Sequence, residues 1–170
     1  FYVMFYRTDI MEKLGIKIPQ TWEEVGQILL EPDDHPEKYY YKNSGIMIAN
    51  DSLIIYAYKY KKQIDFYSVD SMKLCKRLVG DDITPRIVIG DFENSVVYYN
   101  ELVAGKRYFY ARGEGKKKEC IIEVFDYSGH SIAKYTLDIM PNPFDVDEEN
   151  RTIYGYNSEF FEDGFLKFTF

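Results

Sequence analysis

From Gly45 to Phe170, short apolar runs alternate with clusters of Asn, Asp, Gly and Ser. Many of the runs place apolar and polar residues in strict alternation, which is the pattern of half-buried strands joined by tight turns. The pattern predicts a first set of antiparallel strands at Ile46–Ala49, Ser52–Tyr58, Gln63–Val69 and Met72–Val79. After the connection GDDITPRIVIGDFEN, a second set follows at Val96–Val103, Arg107–Arg112, Cys120–Asp126 and Ser131–Leu137. A third set, at Pro143–Val146, Arg151–Tyr156 and Gly164–Phe170, supplies three strands.

The second set repeats the first. When Ile122 is laid on Ile64, Glu123 falls on Asp65, Val124 on Phe66 and Phe125 on Tyr67; across the turn, Ile132 falls on Leu74, Lys134 on Lys76 and His130 on Met72. Self-similarity at this period marks a repeat architecture in which each unit packs on its neighbour. Four antiparallel strands per unit is the content of one propeller blade. The predicted fold class is therefore mainly β: about two and a half propeller-type blades, unclosed, at about 44–80, 95–138 and 143–170, behind a short helical segment.

That segment occupies residues 1–31. FYVMFY is aromatic and strand-like, and Asp9 then opens a short helix with Ile10, Met11 and Leu14 on one face, stopped at Gly15. Thr21-Trp22-Glu23-Glu24 forms a capping box for a second helix, which ends before Pro32. Residues 32–43, PDDHPEKYYYKN, read as a polar linker bounded by prolines. Because the third blade lacks a fourth strand, Phe1–Tyr6 is expected to pair with that blade or cap its face.

Composition sharpens the β assignment. The 170 residues include 17 Tyr and 12 Phe, side chains that suit a pleated, half-buried surface. A net charge of -7 argues against nucleic acid as a partner, and no apolar run is long enough to span a bilayer as a helix. Cys75 and Cys120 are too few to define a disulfide or metal framework and are expected to be free thiols. The start at Phe1, without Met or a leader, leads us to expect a processed chain, a fragment or a fusion.

Candidate chemistry is sparse. His130 has Asp126 nearby, but by the repeat it sits at an ordinary turn edge and is expected to be structural. Asp145, Asp147, Glu148 and Glu149 crowd together without the spacing of a calcium loop, and His35 stands beside Asp33 and Asp34 with no further ligand at metal spacing. Gly113-Glu114-Gly115-Lys116 lacks the length and the terminal hydroxyl of a phosphate loop. The binding candidates are basic. Lys59, Lys61 and Lys62 fall between the second and third strands of the first blade, and Arg112, Lys116, Lys117 and Lys118 between the same strands of the second. Corresponding loops emerge on one rim, so these residues predict either a patch for an anionic ligand or acidic protein surface, or hairpins kept soluble by lysine.

Two resemblances extend this reading. The run YRTDIMEKLGIKIPQTWEEV, through Tyr6, Arg7, Asp9, Leu14, Gly15, Pro19, Thr21, Trp22 and Glu24, resembles part of the extracellular solute-binding proteins of ABC transporters. No ligand-binding residue carries over from it. From about residue 44 onward the chain resembles the C-terminal blades of the TolB-like six-bladed β-propellers of the bacterial envelope. Asp51–Tyr56 (DSLIIY), Ile122–Gly129 (IEVFDYSG) and Pro143–Tyr154 (PFDVDEENRTIY) carry that similarity. The resemblances imply an extracytoplasmic, non-enzymatic binding or interaction module, without catalytic residues, cofactor or metal. Its partners would be a protein or small molecule, and its open blade edges would permit self-association. The alternative is a sugar-type solute-binding component of an ABC transporter.

Overall fold

The computed structural model describes residues 43–81, 95–114, 119–159 and 164–170. The helices and the strand-like run expected within residues 1–31, the linker with His35, and Lys116, Lys117 and Lys118 lie outside the described residues. The described residues belong to one compact unit, Tyr40–Phe170.

This unit is mainly β, with propeller-type blades. The first antiparallel sheet runs β1 (Gly45–Ala49), β2 (Leu53–Tyr58), β3 (Gln63–Ser68) and β4 (Leu74–Val79), each strand beside the next. The second repeats this order with β5 (Glu101–Ala104), β6 (Tyr108–Glu114), β7 (Cys120–Asp126) and β8 (Ser131–Leu137). The third has β9 (Phe144–Asp147), β10 (Thr152–Tyr156) and β11 (Phe165–Thr169). None of the three closes into a barrel. The first strands lie together, β1 beside β5 and β5 beside β9, while β4 and β8 are the most exposed strands of their sheets. The sheets thus fan outward from a common inner edge.

Two apolar cores hold them face to face. Ile55, Ala57, Ile64 and Phe66 of the first sheet meet Phe109, Ala111 and Phe125 of the second, with Tyr99 at the join. On the other side of the second sheet, Tyr110, Ile122 and Val124 meet Phe144 and Ile153. Alternation in β6 explains the split, since Phe109 and Ala111 point one way and Tyr110 the other. Both faces of the middle sheet are therefore buried. The Phe109 ring stacks on Phe125 at 5.3 Å and meets Phe66 edge-on at 5.8 Å. Each such buried aromatic contributes about 1.5–3 kcal/mol by removal from water.

The ladder of β5 begins at Glu101, later than the expected Val96. Pairing with β6 continues upstream only intermittently, through Asn100 N to Arg112 O (2.9 Å) and Glu114 N to Val97 O (3.1 Å). In between, Tyr98 N donates to Lys59 O of the preceding sheet at 2.7 Å, which draws the segment off the ladder.

The repeat extends to its irregularities. A register shift falls between Phe66 and Tyr67 in the first sheet, and between Val124 and Phe125 in the second, which are matching positions. Beyond the turn, however, the copies correspond one residue differently from the sequence alignment. Asp65 faces Arg77 and Glu123 faces Lys134, so the counterpart of Lys134 is Arg77 rather than Lys76. The cause is turn length, because Val69–Lys73 is one residue longer than Tyr127–His130. Met72 consequently matches Gly129 and not His130. Both hold left-handed backbone, φ 53° and 78°. Each donates its N–H to the last residue of the incoming strand, Ser68 O or Asp126 O, at 2.9 Å.

A left-handed conformation costs a side-chain-bearing residue about 1–2 kcal/mol, and glycine escapes most of this. Met72 is 68% exposed, so its side chain is expected to add little packing. Met72→Gly is expected to stabilise the protein by a few tenths to about 1 kcal/mol, and Gly129→Ala to destabilise it by about 1 kcal/mol, in urea unfolding. The same sign for both substitutions would refute the equivalence of the two turns.

Candidate functional site

The junction between the first two sheets is apolar inside and polar at its edge. Lys62, the last residue of the β2–β3 connection, places Nζ 3.0 Å from Glu123 Oε1 on β7. The Tyr99 hydroxyl donates to Glu123 Oε2 at 2.9 Å. Burial, with the neighbouring Glu123 charge, pushes the Tyr99 hydroxyl far above the ordinary phenol range, so Tyr99 is a fixed donor. Gly80 makes this geometry possible. A Cβ there would stand 2.5 Å from Lys62 Cδ, so only glycine lets the lysine stem cross the end of β4.

The Lys62–Glu123–Tyr99 bridge is shared by two recesses. One, of about 240 Å³, is lined by Asp81, Glu114, Ile121 and Lys134 besides the bridge. The other, of about 210 Å³, opens toward Leu78, Val79 and Ser131. Lys134 faces Glu123 across the ladder and reaches no ion-pair partner among the described residues. The larger recess is therefore lined by one cation engaged in an ion pair, Lys62, and one, Lys134, that has no such partner among the described residues.

Of the predicted basic residues, Lys59, Lys61, Lys62 and Arg112 are described, and each has different surroundings. Lys61 turns over the Tyr58 ring, 3.7 Å from its centroid, and Lys59 lies 5.3 Å from the Tyr60 ring. Of these three lysines, Lys62 reaches the cleft. Arg112 lies inside β6 rather than in the following loop and is 3% exposed. Its Nε donates to Glu101 Oε2 at 2.9 Å and its Nη2 to Asn142 Oδ1 at 3.3 Å, while Glu101 Oε1 accepts from Phe144 N at 3.2 Å. It ties the second sheet to the third.

The other candidate groups are occupied in turns. Asp126 accepts from the His130 backbone N–H at 2.8 Å and lies 2.9 Å from its Nδ1, so the pair closes the β7–β8 turn. Asp147 accepts from the backbone of Glu149 and Asn150 in its own turn. Glu148 points back to the second sheet, where it accepts from Arg107 N and Tyr108 N at 3.1 Å each. Among the described residues, no group of three or more His, Cys, Asp or Glu could hold a metal ion. Cys75 is exposed and Cys120 buried, both as thiols.

Glu123 and Tyr99 were not singled out by sequence reasoning, although a signal existed. Glu123 repeats Asp65, and an acid recurring at the middle of the third strand in the first two units marks a position that is not simply solvated. Asp65 itself is inaccessible on the outer face of the first sheet. It takes Arg77 Nε and Nη2 at 2.7 Å each, Gln63 Nε2 at 2.9 Å and the Tyr58 hydroxyl at 3.1 Å.

Burial raises the Asp65 pKa, but the hydrogen bonds from Arg77, Gln63 and Tyr58 to the ionised form prevail and hold it below the ordinary 3.8. A depressed folded value means that the unfolded chain takes up the proton first. The stabilisation is complete above about pH 4 and is lost as pH falls toward the folded value. Asp65→Asn is expected to lower stability at neutral pH and to flatten its decline below about pH 4, as measured by urea unfolding across that window. Parallel declines in the two proteins would remove Asp65 from the acid response.

Neither a protein-family model nor a curated protein sequence matches the chain.

Proposed function

We propose that the protein is a non-enzymatic binding module of propeller type, and that the cleft between its first two sheets takes an anionic group from its partner. The observation that carries this reading is Lys134, a cation lining the recess without an ion-pair partner among the described residues, beside the already paired Lys62 and Glu123. Tyr99 and Glu123 supply a rigid polar floor, and such a floor costs little reorganisation when a ligand docks. The carboxylates of Asp81 and Glu114 nearby restrict the site to ligands whose negative charge is compact. With a net charge of -7 on the chain, attraction is local to the recess and is weakened by salt. An acidic segment of a protein partner fits these constraints. The resemblance of residues 44–170 to TolB-like propellers supports an envelope setting for such an encounter. The solute-receptor alternative rests on residues 1–31, outside the described residues.

The test is an NMR titration with a short glutamate-rich peptide, using its glutamine analogue as control. Amide shifts are expected at Ile121, Glu123 and Lys134 with the acidic peptide alone. They should fade with added salt and weaken about tenfold in Lys134→Gln, as expected for a lost charge-assisted contact of about 1.4 kcal/mol. Equal shifts with both peptides, or shifts undiminished by Lys134→Gln, would overturn the assignment.

A further inference from the structure

In each of the first two sheets the last strand, β4 or β8, pairs with one neighbour only among the described residues. Every second N–H and C=O of such a strand points away from its partner and can hydrogen-bond to an extended chain laid alongside. These edges lie at the outer rim, because the sheets stack through their faces and meet along their first strands.

The two edges offer different things. The cations of β4 are engaged: Asp65 takes Arg77 Nε and Nη2 at 2.7 Å each, and Lys76 donates to Ser128 O in the β7–β8 turn, which lies against the strand. In contrast, β8 keeps a regular register from Leu137, opposite Cys120, to Ala133, opposite Val124, and its shift falls beyond that, toward Ser131. Ser131–Leu137 contains neither proline nor glycine, so of the devices that blunt an edge it has a single lysine and a displaced bulge. Ala133, Tyr135 and Leu137 are half-buried and pack on the second core, while Ile132, Lys134 and Thr136 are exposed. One side of the strand therefore holds it extended and the other is open.

The lysine selects what can pair. On an edge it repels a basic strand and leaves an apolar one with an unmatched charge, but it favours an acid placed directly opposite. Lys134 has no ion-pair partner among the described residues, and Glu123 across the ladder is engaged by Lys62 and Tyr99. We propose that the acidic segment of the partner adds to β8 as an extended strand, bonding through its backbone along Ala133–Leu137 with one carboxylate opposite Lys134. This rests on the anionic-partner reading of the recess and adds the form in which that partner binds. Main-chain bonds then supply affinity, and the acid opposite Lys134 supplies selectivity. Ile132, 49% exposed and two residues along, adds an apolar contact beside it.

A peptide titration of the full chain, followed by amide hydrogen exchange, tests this. The probe is a capped peptide in which glutamate alternates with threonine. On binding, every second amide between Ala133 and Leu137 is expected to exchange at least about tenfold more slowly. N-methylating only the glutamates, or only the threonines, removes the donors along one edge of the peptide and leaves its carboxylates in place. One of these two peptides is expected to bind at least about tenfold more weakly and the other as the parent does, because an added strand uses one of its edges. Equal affinity for all three peptides, or the same loss for both methylated ones, would overturn strand addition while leaving the anion site at Lys134 standing. A parent peptide that does not bind at low salt would remove both readings. The protein is unaltered throughout, so no outcome is ascribed to misfolding.

Discussion

The structure depends on burying sheet faces against one another. A single four-stranded sheet of this size has two faces and cannot cover either by itself. The middle sheet is covered on both sides, which is why β6 is buried from Phe109 to Gly113 and not on alternate residues only. Phe109, which is 0% exposed, joins Phe66 of one sheet to Phe125 of its own, while Tyr110 next to it serves the opposite junction. Everything else follows from that arrangement, including which strands are exposed and where polar groups can survive.

Polar groups survive at the junctions by being paired across them. Glu123 receives Lys62, Glu148 receives the backbone of Arg107 and Tyr108, and Glu101 joins Arg112 to Phe144 N. Lys76 likewise donates to Ser128 O in the neighbouring sheet. An unpaired buried acceptor costs about 1–3 kcal/mol, so these contacts punish misaligned sheets more than they reward aligned ones. They act as registration marks. The exposed Lys106–Glu149 pair, which is solvated on both sides, adds little by comparison.

Much of this architecture was legible from alternation and repeat. The bounds of β7 and β8 coincide with the sequence reading, because Cys120–Asp126 and Ser131–Leu137 are flanked by clear turn residues. The match failed by one residue past the turn. Turn length is set by backbone conformation at Met72 and Gly129, and a side-chain pattern does not reveal that Met72 is left-handed. The surroundings of the described basic residues were illegible for a related reason. Loop membership says which rim a lysine leaves from, but not which side of the sheet it bends toward. Lys61 and Lys62 are adjacent in sequence and serve opposite faces, one over Tyr58 and the other on Glu123. Arg112 was placed at the end of its strand and counted with the rim, whereas β6 runs on to Glu114 and Glu101 pairs with Arg112 inside the junction.

The same constraint shapes the proposed site, which needs two sheets to diverge enough to leave space yet stay close enough to share side chains. The outer edge of the first junction meets both conditions, because the apolar core holds the inner edges together while Lys62 spans the gap to Glu123. The Lys62–Glu123 contact therefore has two consequences. It ties β7 to the β2–β3 connection, and it commits the Glu123 carboxylate, which stands opposite Lys134 across the ladder, to Lys62 and Tyr99. Lys134, opposite an acid that is already engaged, therefore lines the recess without an ion-pair partner among the described residues, so the contact that joins the sheets also leaves the cation on which the proposed site rests.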